Sequence, residues 1–294
     1  MKIFVTGATG FIGKHLVRKL VSEGCKVTIN LYGAEQSPFD DIVSIHRLSE
    51  ENINQDIDYL KKEVFDGVIH LASLYLTTHS PEQVTDLINT NVRFGTYVLE
   101  CASQAKIKWF INTGTFWQYY EDKDYSPVNL YAATKQAFEG IAQYYIETNQ
   151  IRFCTLKLSD SFGPEDTRPK IFNLWHRISK TGESIDMSPG NQLIDISYID
   201  NIVSAFYLLT KHLEGADPQI KNGDVFAVKA NKRYSLNELS LIFETITGKK
   251  LNINWGARPY RIREVFTPWT KGKCVPDWSP TISIEEGIKK TFVD

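Results

Sequence analysis

Two rhythms of apolar and polar positions alternate along the first two-thirds of the chain. Short runs rich in Val, Ile, Phe and Thr fall at 3–6, 26–31, 43–46, 67–72, 109–113 and 151–158. Runs this short, bounded by Gly, Asn or Asp, read as buried strands. Between them the period lengthens. Ile12, Leu16, Leu20 and Val21 lie on one face of a helix over 12–23, and further helices fit 82–105 and 130–148. Strands separated by helices predict parallel pairing in a doubly wound sheet. Later, Ser235 with Glu238 three positions on marks the start of a helix over 235–247 with a capping box. Pro and Gly cluster between 163 and 190 and again between 256 and 280, which predicts a smaller, loop-rich lid.

Composition narrows this picture. The 294 residues correspond to two domains or one large α/β unit, and 42% hydrophobic with 23% charged residues excludes disorder. Lys plus Arg number 33 against 35 Asp plus Glu, a net charge of −2. A chain so balanced is not built to coat nucleic acid or an anionic membrane, so any anion must be held by local features. No apolar run approaches the ~18 residues of a membrane span, and the N-terminus lacks the order of a signal peptide. The expectation is a cytoplasmic protein whose Cys25, Cys101, Cys154 and Cys274 stay reduced. The six histidines have no HxH or HxxxH spacing, so no metal is expected.

The segment Thr6-Gly7-Ala8-Thr9-Gly10-Phe11-Ile12-Gly13 follows the first strand directly. Gly7 permits a tight turn, Gly10 lets a pyrophosphate approach the backbone, and Gly13 lets the helix pack close to the sheet. The amides of Phe11, Ile12 and Gly13 and the helix dipole suit an anion. Strand, glycines and helix in this order predict dinucleotide binding, with Thr9 in the loop. An acidic residue at the end of the second strand would bind the free ribose of NAD. The chain has Asn30, Leu31 and Tyr32 there, with neither a carboxylate nor an arginine. This favours NADP(H), with NAD(H) as the alternative and Asn30, Tyr32 and Lys14 as possible partners.

Tyr131-Ala132-Ala133-Thr134-Lys135 places a phenol and an ammonium on one helix face. The ammonium is expected to lower the tyrosine pKa, which suits an acid/base for a carbonyl–alcohol pair. The same spacing occurs at Tyr119…Lys123, in a polar loop, and at Tyr207…Lys211, in a packed helix. Only Tyr131 opens a helix after a strand end, where this architecture binds its ligand.

Together these motifs resemble the extended short-chain dehydrogenase/reductase family of nucleotide-sugar epimerases, dehydratases and reductases, over essentially the whole chain. The resemblance rests on TGATGFIG, His70-Leu71-Ala72, Asn91-Val92-Arg93-Phe94-Gly95-Thr96, YAATK, the segment 157–164, the segment 195–200, and Trp278-Ser279-Pro280 with Glu285-Glu286-Gly287. It implies a doubly wound parallel Rossmann sheet (1–157 with 196–229) and a smaller interleaved substrate-binding domain (158–195 with 230–294). It implies Tyr131 and Lys135 as catalytic residues. It adds two further catalytic residues: Thr115, four residues before a Tyr, as the group on the substrate oxygen, and Asn91, the helix Asn near it. Leu71, Ala72 and Thr113 would line the cofactor. A homodimer, through a four-helix bundle of the helices at 82–105 and 130–148, is also implied.

Phe116 and Trp117 stand where the family's 4,6-dehydratases have Asp-Glu, and Trp117 where its fucose-synthase type has Cys. Within the family the chain is similar to the CDP-3,6-dideoxyhexose 4-ketoreductases, sharing the short gap from Thr115 to Tyr131, the Tyr-x-x-Thr-Lys helix and the length. That resemblance implies hydride transfer to a sugar C4 ketone, with Tyr131 protonating the oxygen. Phe116 and Trp117 would stack on the sugar or line the core below it. The alternatives are a 4-epimerase with tightly held NAD, reduction of another carbonyl compound, and a non-catalytic dinucleotide-binding regulator. One departure stands out: Ile194 replaces the Arg that usually precedes the Asp at position 195. Asp160, Arg168, Lys170, Arg258 and Arg263 are the candidates for holding the nucleotide sugar.

Overall fold

The computed structural model describes residues 1–39 and 41–293. Strand β1 (Lys2–Thr6) leads into helix α1 (Phe11–Ser22), followed by β2 (Lys26–Asn30), β3 (Ser44–His46), α2 (Ile53–Glu63) and β4 (Gly67–His70). Helix α3 (Gln83–Ile88) runs through a π-helical turn at Asn89–Arg93 into α4 (Phe94–Gln104). Strand β5 (Trp109–Thr115), α5 (Leu130–Glu147) and β6 (Arg152–Leu158) complete the second half of the sheet. A seventh strand, β11 (Val225–Val228), is added at the edge after β7 (Asp160–Phe162), α6 (Ile171–Thr181), β8 (Ile185–Met187), β9 (Leu193–Ile194), β10 (Ile196–Tyr198) and α7 (Ile199–Glu214). The order is β11-β6-β5-β4-β1-β2-β3, and every pairing in it is parallel. The doubly wound α/β class expected from the pattern is therefore the observed one.

Side chains leave the strands alternately to two cores. Ile3, Val5, Ile69 and Ile111 face α1 and α7, against Leu16, Leu20, Phe206 and Leu209. Phe4, Val68, Phe110 and Phe153 face the other way, against Val98, Leu99, Phe138 and Ala142 of α4 and α5. A sheet buried on both faces needs apolar residues at every strand position, which is why its strands read as continuous apolar runs.

The rest of the chain comprises β12 (Tyr234–Ser235), α8 (Leu236–Thr247), β13 (Ile253–Trp255) and α9 (Ile284–Phe292). The capping box at Ser235 and Glu238 forms as expected. The stretch 163–190 is not the continuous loop that its Pro and Gly content predicts, because α6 occupies its middle. Phe172, Trp175 and Ile178 bury one face of that helix. Phe172 packs edge-on against Phe162, with ring centres 4.7 Å apart, and Phe243 of α8 packs against Phe292 of α9 at 5.5 Å. The sequence pattern likewise does not predict α2. Among the described residues the four cysteines are free, no group of side chains is arranged to hold a metal ion, and no helix is long and apolar enough to cross a membrane.

Candidate active site

The glycine loop joins β1 to α1 at the C-terminal edge of the sheet. Gly7 has φ +71°, and a Cβ there would lie 2.5 Å from the amide nitrogen of Ala72. A Cβ on Gly13 would lie 2.2 Å from the Gly7 carbonyl oxygen. Both positions exclude larger residues by backbone contact. Gly10 differs: its Cβ would come no closer than 3.4 Å to any protein atom, and it caps α1 without a side-chain cap or an acidic residue in the first turn. The amide end of a 12-residue helix is thus left open, bare of negative charge, beside a glycine that leaves room for a phosphate. The hydroxyl of Thr113, buried and without a hydrogen-bond partner, faces the same cleft as Gly10, Phe11, Ile12 and Leu71. These residues fit a nicotinamide dinucleotide, which would supply the hydride.

The end of β2 makes contacts of its own. Asn30 is buried and its Oδ1 accepts from the Leu48 amide at 3.0 Å, so it ties β2 to the chain after β3. Tyr32 is 70% exposed and does not line the cleft. Glu35 lies beside the glycine loop. Its carboxylate accepts from the Thr9 hydroxyl and the Tyr32 amide, each at 3.1 Å. Arg47 donates to the carbonyls of Gly33 and Glu35 at 2.7 and 2.6 Å. Both a carboxylate and a guanidinium are therefore present, supplied by a loop and by the residue after β3. Reading only the end of β2 could not find them.

At the end of β5 the backbone enters a short 3₁₀ turn, Phe116–Gln118, capped by Thr115. The Thr115 oxygen accepts from the Trp117 amide at 3.2 Å, while its own proton stays available to the cleft. Phe116 turns inward, edge-on to Trp269 with centres 5.3 Å apart, and packs on Ala227. Phe116 is buried there at the floor of the cleft. Trp117 lies against Tyr75, 5.6 Å between centres, on the cleft wall.

Asn129 caps α5 through the Ala132 amide at 3.0 Å and so sets the phase of the helix that presents Tyr131 and Lys135. Both line the cleft. The expected lowering of the tyrosine does not appear in the protein alone. Burial pushes the Tyr131 phenol up to about 12, with Tyr75 adding to the effect and the Ser73 hydroxyl and Lys170 opposing it. Burial likewise pushes Lys135 down to about 8, with Glu139 opposing and Lys157 adding. For both groups the cost of burying a charge exceeds the attraction of nearby opposite charges. Tyr131 is therefore a neutral phenol.

Asn91 sits in the π turn and is buried. It donates to the Leu74 carbonyl and to the Thr134 hydroxyl, each at 3.0 Å, and accepts from the Leu74 amide at 2.8 Å and the Ser73 hydroxyl at 3.1 Å. These contacts are all with the scaffold. Asn91 binds Ser73 and Leu74, in the turn after β4, to Thr134 of α5. Behind Lys135, Glu139 accepts from the fully buried Lys157 at 3.0 and 2.9 Å, across the bare backbone of Gly114.

The facing wall comes from later segments. Asp160 and Lys170, expected as separate ligand contacts, pair with each other at 2.9 Å. Arg168 is bound by Asp166 at 2.7 Å and lies over the Phe11 ring. Arg263 donates to Ser126 at 2.7 Å and stacks on Tyr120. Arg258 and Arg261 line the cleft with exposed side chains. The partner of Asp195 is Arg233, at 2.9 Å, brought by β12, which pairs with β9 beside Ile194. Tyr75, Arg261, Arg233 and Glu35 were not singled out by their sequence positions. Tyr75 alone carried a signal, being five residues beyond His70 at the end of a parallel strand. The other YxxxK pairs are structural: Tyr119 stacks on Trp269, and Tyr207 donates to Glu23.

A cleft of about 720 Å³ thus joins an open helix terminus to a buried Tyr–Lys pair. Residues 3–223 match the NAD dependent epimerase/dehydratase family. The chain belongs to that family. With it, the chain is an NAD(P)-dependent oxidoreductase of the extended short-chain dehydrogenase/reductase type. One relative, the CDP-abequose synthase of Salmonella muenchen, is 31% identical over 98% of this chain and 96% of its own. A solved structure of the UDP-glucose 4-epimerase of Thermotoga maritima with UDP-glucose has a TM-score of 0.85 at 22% identity, covering 99% of this chain and 97% of that one. MoeE5 in complex with UDP-glucose and NAD gives 0.81 at 23% identity, with 99% and 97% covered. At these identities the solved structures establish the fold.

Proposed function

We propose that this family member is a 4-ketoreductase of a nucleotide-diphosphate-linked deoxy sugar. One observation carries the reading. Tyr131 brings a neutral phenol to the cleft from the first turn of α5, and the two residues after Thr115 are aromatic rings that can move no proton. A site built this way suits reduction at one carbon and lacks the acid and base that elimination needs. Thr115 orients the carbonyl, Tyr131 donates the proton to the developing alkoxide, and Lys135 supports it. Arg258 and Arg261 attract the diphosphate. The name of the S. muenchen relative, CDP-abequose synthase, supports a CDP-linked deoxy sugar.

Arg47 near the ribose end favours NADP(H). The Glu35 carboxylate favours the second reading, a 4-epimerase holding NAD(H), because it would repel a 2′-phosphate. Two interleaved units, 1–157 with 196–229 and 158–195 with 230–294, suit a cleft closed by the second, and β11 completing the sheet supports that division. A cytoplasmic homodimer through the helices at 82–105 and 130–148 is part of the proposal, supported by exposed Ile88, Ile141 and Tyr144.

The test is a thermal-shift panel of CDP, UDP, GDP, dTDP, NAD and NADP, followed by turnover of the matching 4-keto deoxyhexose nucleotide. Stoichiometric loss of NADPH is expected. Co-purifying NAD with interconversion of 4-epimers and no net consumption replaces the reductase by the epimerase.

A further inference from the structure

We propose that Tyr75 is a specificity-determining residue whose hydroxyl, held by the Asp160–Lys170 pair, donates to a hexose oxygen beside the reacting carbon. This rests on the reading of the substrate as a nucleotide-linked sugar and names the group that reads the sugar.

Four contacts fix the Tyr75 ring. It meets Tyr131 edge to face with centres 5.1 Å apart and Trp117 at 5.6 Å. The Lys170 ammonium lies over its face at 4.3 Å and also meets its hydroxyl at 3.0 Å. An ammonium can only donate, so the Tyr75 oxygen accepts and its own proton points elsewhere. The hydroxyl is 95 residues from Lys170 in sequence, so the contact joins the turn after β4 to the segment before α6. Tyr75 lines the cleft and is 37% exposed, so that proton is available to a ligand. Burial and Asp160 push the phenol up, which keeps it a neutral donor.

The ligand class follows from charge. Asp160, 2.9 Å from the Lys170 ammonium, compensates it. The spot therefore presents no net positive charge to a phosphate, unlike the exposed Arg258 and Arg261 on the same cleft. What suits it is a neutral oxygen, a hydroxyl or carbonyl of a sugar ring that also reaches Tyr131.

The experiment is calorimetric titration of the full chain loaded with its dinucleotide, using CDP against CDP-glucose and UDP against UDP-glucose. The ratio of the two affinities isolates the contribution of the hexose. Tyr75→Phe should lower that ratio about tenfold while leaving the diphosphate affinity unchanged, the size of one lost hydrogen bond. Lys170→Met should act in the same direction, and Lys170→Arg should restore most of the ratio. Thermal melting of each variant confirms folding. A ratio unchanged in Tyr75→Phe overturns the assignment, as does an equal loss for diphosphate and nucleotide hexose. A wild-type chain that gains nothing from either hexose also overturns the assignment, whereas the functional reading itself fails only if the 4-keto deoxyhexose nucleotide is not turned over.

Discussion

On the sheet side of the cleft, Thr115, Tyr131 and Lys135 rest on buried groups whose hydrogen bonds are nearly all made within the protein. Asn91 spends its amide on Ser73, Leu74 and Thr134, and Lys157 spends its ammonium on Glu139. On the facing side, Arg258 and Arg261 are exposed, and Asp160 reaches Lys170 across a partly open surface. In the proposed reaction the first wall holds the reacting atoms in place, which requires rigidity. The second recognises a charged, variable handle, which tolerates water and exchange. The difference explains why the first wall carries contiguous motifs, whereas the second draws on residues from 160 to 263.

Four experiments sharpen or break this contrast. The largest effect is expected for Tyr131→Phe, which should lower kcat about 10³-fold with nucleotide and dinucleotide affinities retained. Turnover near the wild-type rate would remove the chemical role of the sheet wall. Next is Lys157→Met, which strands Glu139 in a buried site. Urea unfolding should show a loss of about 3 kcal/mol, and the Glu139→Leu, Lys157→Met double variant should be more stable than Lys157→Met alone. A double variant as unstable as the sum of the singles would show that the pair is not coupled.

The pH profile comes third. Lys135 titrates at about 8 in the fold against an ordinary 10.5, so it is charged below pH 8 and loses its proton above it, while Tyr131, at about 12, stays protonated. The reductive kcat/KM should be flat below pH 8 and then fall about tenfold per unit. The stability sign is opposite. The unfolded chain binds more protons at Lys135 between 8 and 10.5, so this residue's contribution to stability rises with pH across that window. An alkaline loss of activity that tracks unfolding would contradict the assignment. The smallest effect is expected on the facing wall. Arg258→Gln or Arg261→Gln should weaken nucleoside diphosphate binding several-fold, most at low salt, with kcat and the melting temperature unchanged.

The two walls were also unequally legible. The glycine loop, the alternating strands and the Tyr–Lys helix were readable because each is local. Gly7 and Gly13 are dictated by contacts within one turn, and Tyr131 and Lys135 share a face by helical period. Helix α6 is hidden because proline and glycine counts outweigh the three-residue spacing of Phe172, Trp175 and Ile178. Phe116 and Trp117 are adjacent in sequence, yet one faces Trp269 and the other Tyr75, a choice made by the capped turn at Thr115.

Local sequence sets the alternation of strands and helices around the central sheet, the open amide end of α1 and the shared helix face of Tyr131 and Lys135. Each follows from neighbours a few residues apart. Tertiary structure alone decided the charges around them. It brought Glu35 to Thr9, Arg233 to Asp195 and Lys170 to Tyr75, and through burial it raised the phenol of Tyr131 and lowered the ammonium of Lys135. The physical reason is range. Hydrogen-bonded turns and helical faces are set over a few residues, whereas burial and charge pairing depend on which distant segments the packed core brings together.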